Sequence, residues 1–155
     1  MPKNNIDDGS PQVLSLKDLP KPTIEVRSRQ YRRRSCPRCA RGCYRNSHGQ
    51  RELHDLGNPR TGRPHALQVL YSQHRCEKCG LYFNADTTDL APAGSHYTHR
   101  VISLALRVVL EDGLPYRTAS WHLWRDHRVF VPFATIQNWV EGSGEKNRRR
   151  TFRKI

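Results

Sequence analysis

Two Cys-x-x-Cys pairs, Cys36/Cys39 and Cys76/Cys79, are the residues of this chain best suited to carry chemistry. Two residues between paired cysteines let both sulfurs of a tight turn face one ion, and four thiolates are a usual ligand set of a structural zinc site. Residues 40 to 75 separate the pairs and leave room for a β-hairpin that returns the second pair to the first. We therefore predict one structural Zn²⁺ bound by these four cysteines.

Other uses of the cysteines agree less well with the sequence. Disulfides need an oxidising compartment, and the chain contains no apolar segment typical of a secretion signal. A redox pair needs a single Cys-x-x-Cys on a βαβ pattern. Cys43 and His74 stay open as alternative ligands, although four cysteines already fill a tetrahedral site. The filled site also leaves no position for the water of a catalytic zinc.

The charge of the chain predicts a polyanionic partner, with nucleic acid as the first candidate. Lys and Arg number 27 against 14 Asp and Glu, which gives a formal net charge of +13. Arginines concentrate before and within the first cysteine pair. A guanidinium stays charged and can bind two phosphate oxygens at once, so Arg32, Arg33 and Arg34 are candidate phosphate contacts. A solvated basic surface is the alternative interpretation.

Composition also limits the cellular setting. Apolar stretches are far shorter than the roughly 18 to 20 residues that cross a membrane. Together with reduced cysteines, this predicts a soluble, cytoplasmic, nucleoid-associated protein with no membrane partner.

A hydrophobic content of 35% is low for one well-filled core. We therefore expect the metal to add stability that apolar burial does not supply.

The elements that must position the cysteines form the first part of a small α+β fold. Residues 1–30, which begin with a stretch rich in Asp and Pro, are predicted to be a flexible arm. Residues 31–90 are predicted to be a zinc ribbon, built of β-hairpins around the metal. In it, Leu67, Val69 and Tyr71 alternate along a strand at residues 65–75 that runs into Cys76, and residues 81–83 form the return strand.

Residues 95–142 are predicted to form three helices. The first begins near Thr98 and ends at residues 112–113, the second follows Pro115, and the third begins near Pro132. The third is expected to turn Phe133, Ile136, Trp139 and Val140 inward and to end at Gly142 and Gly144. A basic tail at residues 143–155 follows.

This helical pattern favours a helix-turn-helix whose third helix lies in the major groove of DNA. Gln and Asn can bridge two atoms of an adenine edge, and Thr can lie against a thymine methyl group. A plain three-helix bundle with a polar face is the alternative, and the tail could be a solubilising or frayed end. The candidate DNA contacts of the second half are Arg117, Thr135, Gln137, Asn138, Arg148, Arg149 and Arg150.

The order of these motifs resembles the amino-terminal part of bacterial and archaeal insertion-sequence transposases. The segments that carry the resemblance are Cys36-Pro37-Arg38-Cys39, Asp55-Leu56, Gly62-Arg63-Pro64, Arg75-Cys76-Glu77-Lys78-Cys79-Gly80, Thr98-His99-Arg100, Tyr116-Arg117-Thr118-Ala119 and Ala134-Thr135-Ile136-Gln137-Asn138-Trp139-Val140. In that family a zinc ribbon and a helix-turn-helix precede a ribonuclease-H-like domain with an Asp-Asp-Glu metal triad. The resemblance covers residues 31–141. It implies that the four cysteines bind zinc and that the helix from about Phe133 to Val140 reads terminal inverted repeats.

The sequence departs from that family after the third helix. Residues 141–155 contain only two acids, Glu141 and Glu145, whereas a two-metal site needs several converging carboxylates. We therefore predict no enzyme activity, and an end-recognition module that is either a truncated transposase or a derived regulator, with a catalytic transposase as a partner. The other function left open is a zinc-ribbon adaptor for RNA or a protein complex. In that case exposed rings among Tyr44, Tyr71, Tyr82 and Phe83 would stack on unpaired bases.

Overall fold

The computed structural model describes residues 20–152, with side chains up to residue 143. Within this range a five-stranded sheet precedes three helices, so the predicted small α+β fold class is confirmed at that level. The strands are β1 Thr23–Arg29, β2 Arg33–Ser35, β3 Gly42–Asn58, β4 Arg63–Arg75 and β5 Tyr82–Asn84. The helices are α1 His99–Leu110, α2 Tyr116–His127 and α3 Phe133–Phe152.

The long antiparallel hairpin of β3 and β4 is the central element. It turns through residues 59–62, where Gly62 adopts a φ of 69°, and pairs from Asn58↔Arg63 back to Arg45↔His74. The free edge of β3 near the first cysteine pair accepts β2. The other edge of β4 accepts β1 in parallel and then β5 in antiparallel orientation. The remaining three strands, β1, β2 and β5, therefore all pair with one strand of this hairpin.

The flexible arm, predicted over residues 1–30, does not extend through β1. Residues 23–29 pair with β4 from Thr23↔His65 to Arg29↔Tyr71 instead of belonging to an arm. Ile24 and Val26 stay more than half exposed, so their side chains bury little surface. What places β1 is backbone hydrogen bonding to the edge of a strand forty residues away, which the local composition does not reveal. The prediction for residues 1–19 lies outside the described residues.

One face of the hairpin is covered by the loop that connects β5 to α1. Leu53, Leu67 and Val69 are buried beneath Leu90 and Ala91 of this loop. The guanidinium of Arg51 holds the loop in place. It donates to the hydroxyl of Thr87 at 3.1 Å and to the carbonyl oxygens of Pro92, at 2.9 Å, and Ser95.

The three helices share a second core, and their predicted starts are confirmed. α1 begins after Thr98, α2 after Pro115 and α3 after Pro132. Ala119, Leu123 and Ile136 are buried as predicted. The predicted inward position of Phe133 is wrong, because its ring is 43% exposed and lies beneath the guanidinium of Arg117. The buried residues of this core are Val101, Ala105, Val108, Ala119, Leu123, Val129, Val131 and Ile136.

Helix α3 is longer than the sequence predicts. It runs through Gly142 and Gly144 to Phe152, so the helix end at these glycines and the separate tail from residue 143 are both corrected. A glycine inside a helix costs only about 1 kcal/mol relative to alanine, and Gly142 does not adopt the positive φ of a terminating glycine. Within the described part of the chain, no helix combines the length and the apolar character that a membrane crossing requires.

The far end of the hairpin joins the sheet to the helices. The amide of His54 donates to the carbonyl of His96 at 2.8 Å, and the amide of Thr98 donates to the carbonyl of His54 at 3.0 Å. The hydroxyl of Thr98 donates to the buried carboxylate of Asp55 at 2.8 Å. At Gly57 a Cβ would lie 2.7 Å from the side chain of Arg128, so the hairpin meets the turn after α2 at close range. The two predicted domains therefore pack directly on each other.

Candidate metal centre

The sulfur atoms of the four cysteines predicted to bind zinc lie together at one end of the sheet. All four Sγ atoms are within 4.8 Å of one another, with Cys36 and Cys79 3.6 Å apart and Cys39 and Cys76 3.3 Å apart. Four sulfurs at about 2.3 Å from a tetrahedral zinc ion would be separated by about 3.8 Å. The cluster therefore has a size and a donor set that fit a metal ion. Among the described residues it is the one group of three or more potential ligands close enough to do so.

The two cysteine pairs sit in knuckles with the same backbone fold. In the first knuckle the amide of Ala40 donates to the carbonyl of Cys36 at 2.9 Å, and the amide of Cys36 donates to the carbonyl of Arg41 at 2.8 Å. The second knuckle, residues 76–81, repeats these bonds at 2.8 and 2.9 Å. The residue after the second cysteine is left-handed in both knuckles, with φ 58° at Ala40 and 71° at Gly80. The same turn thus occurs twice, and both sulfurs of each pair lie in the common cluster.

The strands place the knuckles opposite each other. β2 leads into the first knuckle and β3 leaves it, while β4 leads into the second and β5 leaves it. Because β3 and β4 pair as far as Arg45↔His74, the two knuckles are held side by side. Cys36 and Cys76 are buried, Cys39 is half-buried and Cys79 is exposed, with Leu81 and Phe83 packed against the cluster.

The pKa values of the thiols show why the cluster suits a cation. The backbone amide of Cys79 is the largest influence on Cys76 and helps to lower the pKa of that thiol to about 6. At Cys39 the amide of Arg41 acts in the same direction. There it is outweighed by the neighbouring Cys76 sulfur, burial and the other two thiols, which raise the pKa to about 11. Four crowded sulfurs therefore do not all ionise at neutral pH unless a cation supplies positive charge, and metal binding would release protons.

His74 and Cys43, the alternative ligands, are not part of the cluster. The imidazole of His74 is fully buried, and its Nδ1–H donates to the carbonyl of Cys43 at 3.1 Å while its Nε2 accepts from the hydroxyl of Ser72 at 2.7 Å. Both ring nitrogens are thus engaged. The thiol of Cys43 donates to the carbonyl of Arg41 at 3.2 Å.

The network around His74 supports the first knuckle and contains a residue that sequence reasoning missed. Ser72 accepts from the amide of Tyr31 at 3.1 Å, so its hydroxyl links the segment before β2 to His74. Phe83 stacks on the His74 ring, with centroids 5.4 Å apart. Period-two alternation in β4 could have indicated that residues 72 and 74 share a face, but not that this face is buried.

The predicted phosphate contacts near the knuckles are on the surface. Arg32, Arg33 and Arg34 are all exposed. The guanidinium of Arg33 lies 5.5 Å from the ring centroid of Tyr44, and that of Arg34 lies 3.3 Å from the ring centroid of Tyr31. Stacking on these rings limits the conformations of two long side chains without neutralising their charge.

The predicted DNA contacts of the helical part occupy a separate region. Arg117 on α2 is exposed, with its guanidinium 4.8 Å from the ring centroid of Phe133. On α3, Asn138 is exposed and Thr135 and Gln137 are half-buried, and the amide of Gln137 donates to Glu141 at 2.9 Å. The side chains of residues 148–150 lie outside the described part of the structure. The candidate contacts thus form two groups, one at each end of the long hairpin.

Comparison of the chain with protein-family models, with curated proteins and with solved structures gave no match. The resemblance to insertion-sequence transposases therefore rests on the motifs of the sequence, and it stays a prediction.

Proposed function

We propose that this chain is a zinc-dependent protein that binds double-stranded DNA, a transposase-like module that recognises terminal inverted repeats. In this proposal the four-cysteine cluster binds one structural Zn²⁺, and the chain cleaves and joins no DNA strand itself. A catalytic transposase would supply that chemistry as a partner. The protein would work in the cytoplasm, in association with the nucleoid.

The donor set supports zinc as the ion. A tetrahedral set of four thiolates suits zinc or iron and not the hard cations magnesium and calcium, which take oxygen ligands. Because four cysteines leave no coordination position for water, the ion would have a structural role. Metal analysis of the protein, purified without added metal, distinguishes zinc from iron.

The observation that carries the DNA-binding proposal is the outward surface of α3. Ile136 is fully buried on the inner side of this helix, whereas Ala134 and Asn138 are exposed. Small and amide side chains on the free side of the last helix of a three-helix unit are those that read base edges in a helix-turn-helix. The exposed Arg117 lies at the first turn of the preceding helix, where it would contact a phosphate.

The length of β3 supports simultaneous contacts at both ends of the protein. The strand leaves the first knuckle at Gly42 and meets α1 at Asp55. At about 3.3 Å per residue these positions are roughly 40 Å apart. One turn of B-DNA is about 34 to 36 Å long. In the proposal, the arginines near the knuckles would therefore hold phosphates about one helical turn from the bases that α3 reads.

Selection from randomised pools tests the proposal. The zinc-loaded protein is offered randomised duplex DNA and randomised RNA side by side, at a salt concentration high enough to suppress binding by charge alone. Enrichment of one duplex motif is the expected result. Enrichment of RNA, or of no sequence, would contradict the proposal.

The second candidate function is an adaptor that binds RNA, and the exposure of two tyrosines favours it. Tyr44 is 63% exposed and Tyr82 is 64% exposed, and each ring lies near an arginine. Exposed rings beside guanidinium groups are typical of surfaces that stack unpaired bases. Tyr71 and Phe83 are less suited to this role, because both are half-buried and Tyr71 packs over Gly49.

A further inference from the structure

A cleft of about 360 Å³ opens beside the two knuckles, and of its lining residues only Arg33 is a candidate phosphate contact from the sequence analysis. Four arginines from three separate stretches of the chain line it, namely Arg33, Arg41, Arg45 and Arg75. Among the described residues, none of the four forms an ion pair with a carboxylate, whereas Arg27, Arg29 and Arg107 do. The fold thus gathers positive charge at one place without compensating it.

Gly42 forms part of the wall of this cleft and determines where Arg33 lies. A Cβ on Gly42 would be 2.2 Å from Nε of Arg33 and 2.6 Å from its Cζ, so the guanidinium occupies the space that any other residue would fill. The centroid of the Tyr44 ring is 5.5 Å from the same guanidinium. The position of Arg33 in the wall of the cleft therefore depends on the absence of a side chain at residue 42 and on a neighbouring aromatic ring.

The walls of the cleft belong to the two knuckles. Arg41 is the last residue of the first knuckle, and its carbonyl accepts from the amide of Cys36 and from the thiol of Cys43. Arg75 directly precedes Cys76, the first cysteine of the second knuckle. The two arginines line the same cleft because the knuckles lie side by side. The hairpin aligns the knuckles, and a bound metal would fix their spacing.

From these observations we propose that the cleft binds one phosphodiester group of the nucleic-acid backbone, and that a bound metal strengthens this site by fixing the spacing of the two knuckles. The inference rests on the proposed function, since the phosphate belongs to the nucleic acid. Guanidinium groups bind phosphate oxygens through two parallel hydrogen bonds, and several of them around one group outweigh a single nearby carboxylate. That carboxylate is Glu77, which also lines the cleft.

The test measures the binding of a short labelled duplex and a short labelled single strand, both of arbitrary sequence, at several salt concentrations. In the zinc-loaded double variant Arg41→Ala/Arg75→Ala, both probes are expected to bind at least about tenfold more weakly. The slope of log K against log salt should fall by about one unit, because one phosphate contact is lost. Arg27→Ala/Arg107→Ala also removes two positive charges, from arginines paired with Glu25 and Glu111, and serves as the charge control, with slope and affinity near those of the wild type.

Gly42→Ala separates the geometry of the cleft from its charge. It leaves the net charge unchanged but displaces the flexible end of Arg33, and it should weaken binding several-fold with zinc stoichiometry retained. Glu77→Gln should strengthen binding. Wild-type affinity and salt slope in the zinc-loaded double variant would overturn the inference, as would binding that survives zinc removal unchanged.

The same measurements keep the two proposals apart. If Arg41→Ala/Arg75→Ala weakens the binding of every probe, the result supports phosphate binding in the cleft, even if the selection from randomised pools enriches no duplex motif. Enrichment of a duplex motif together with unaffected arginine variants supports the proposed function and overturns the cleft. Inorganic phosphate, added as a competitor, tests the source of the ligand. Displacement of nucleic acid by phosphate at low concentration would point to a free anion and would contradict the assignment to a backbone phosphodiester.

Discussion

At the residue scale, the proposed zinc ligation distinguishes the four clustered cysteines from the fifth, Cys43. We expect Cys39→Ser to abolish stoichiometric zinc and to weaken nucleic-acid binding, because three thiolates leave the tetrahedral set incomplete. Cys43→Ser is the matched control, since Cys43 is also buried and packs beside Cys36 and Cys76 but is not one of the four cysteines whose sulfurs could hold an ion. Zinc content per chain and binding of a DNA duplex are the measurements. One zinc per chain in Cys39→Ser would contradict the ligand assignment.

Ala40 and Gly80 occupy equivalent left-handed positions in the two knuckles, so substitutions at the two sites can be compared. Ala40 has a φ of 58°, a conformation that costs an L-residue about 1 to 2 kcal/mol and glycine almost nothing. Ala40→Gly should therefore raise the free energy of unfolding by about 0.5 to 1 kcal/mol. Gly80→Ala, in open space at the equivalent position, should lower it by a similar amount or more. Denaturant titration of both zinc-loaded variants checks this, and a shift of both in the same direction would contradict it.

At the scale of elements, the contact between Thr98 and Asp55 secures the junction of β3 and α1. Thr98→Val keeps the shape of the side chain but leaves the 4%-exposed Asp55 without its 2.8 Å donor, with only Arg100 and His65 nearby at 3.5 and 4.0 Å. We expect a loss of about 1 to 3 kcal/mol of stability. Thr118→Val, at an exposed site of α2, is the control and should cost little. Thermal unfolding of the two variants gives the comparison. Equal losses would show that the hydroxyl of Thr98 has no special role.

The elements also show which parts of the fold local sequence can predict. β4, β5 and the starts of all three helices follow from alternation, cysteine spacing and residues such as Thr98 and Pro115, whose preferences are local. β1 could not be predicted in this way, because its partner is the distant edge of β4. The full length of α3 does not follow from local sequence, because glycine is typical of helix ends and this helix continues through Gly142 and Gly144.

The candidate site likewise has residues that local sequence predicts and residues that it does not. Spacing alone identified Cys36, Cys39, Cys76 and Cys79, since the two-residue gap encodes the turn. The contribution of Ser72 to the network around His74 and the gathering of Arg41 and Arg75 depend on strand register. A register is fixed by the whole hairpin, and no local motif specifies it.

At the scale of the whole molecule, the two ends of the hairpin should make different contributions to DNA binding. Asn138→Ala is expected to relax base preference at one position by about 1 to 3 kcal/mol, because an amide that pairs with a base edge is lost. Arg33→Ala should weaken all sequences alike, since phosphates carry no sequence information. Binding of the selected duplex and of single-base variants is the measurement. Equal losses of affinity on every duplex for both substitutions would show that α3 does not read base sequence.

The long hairpin also has a consequence for how the protein unfolds. One end of β3 adjoins the cysteine cluster and the other packs against the helical core. If the cluster binds zinc as proposed, we expect a chelator to loosen the knuckle end first and to leave the helices and the adjoining turn of the hairpin folded. Unfolding of the metal-free protein would then proceed in more than one transition, which a single melting temperature would not describe.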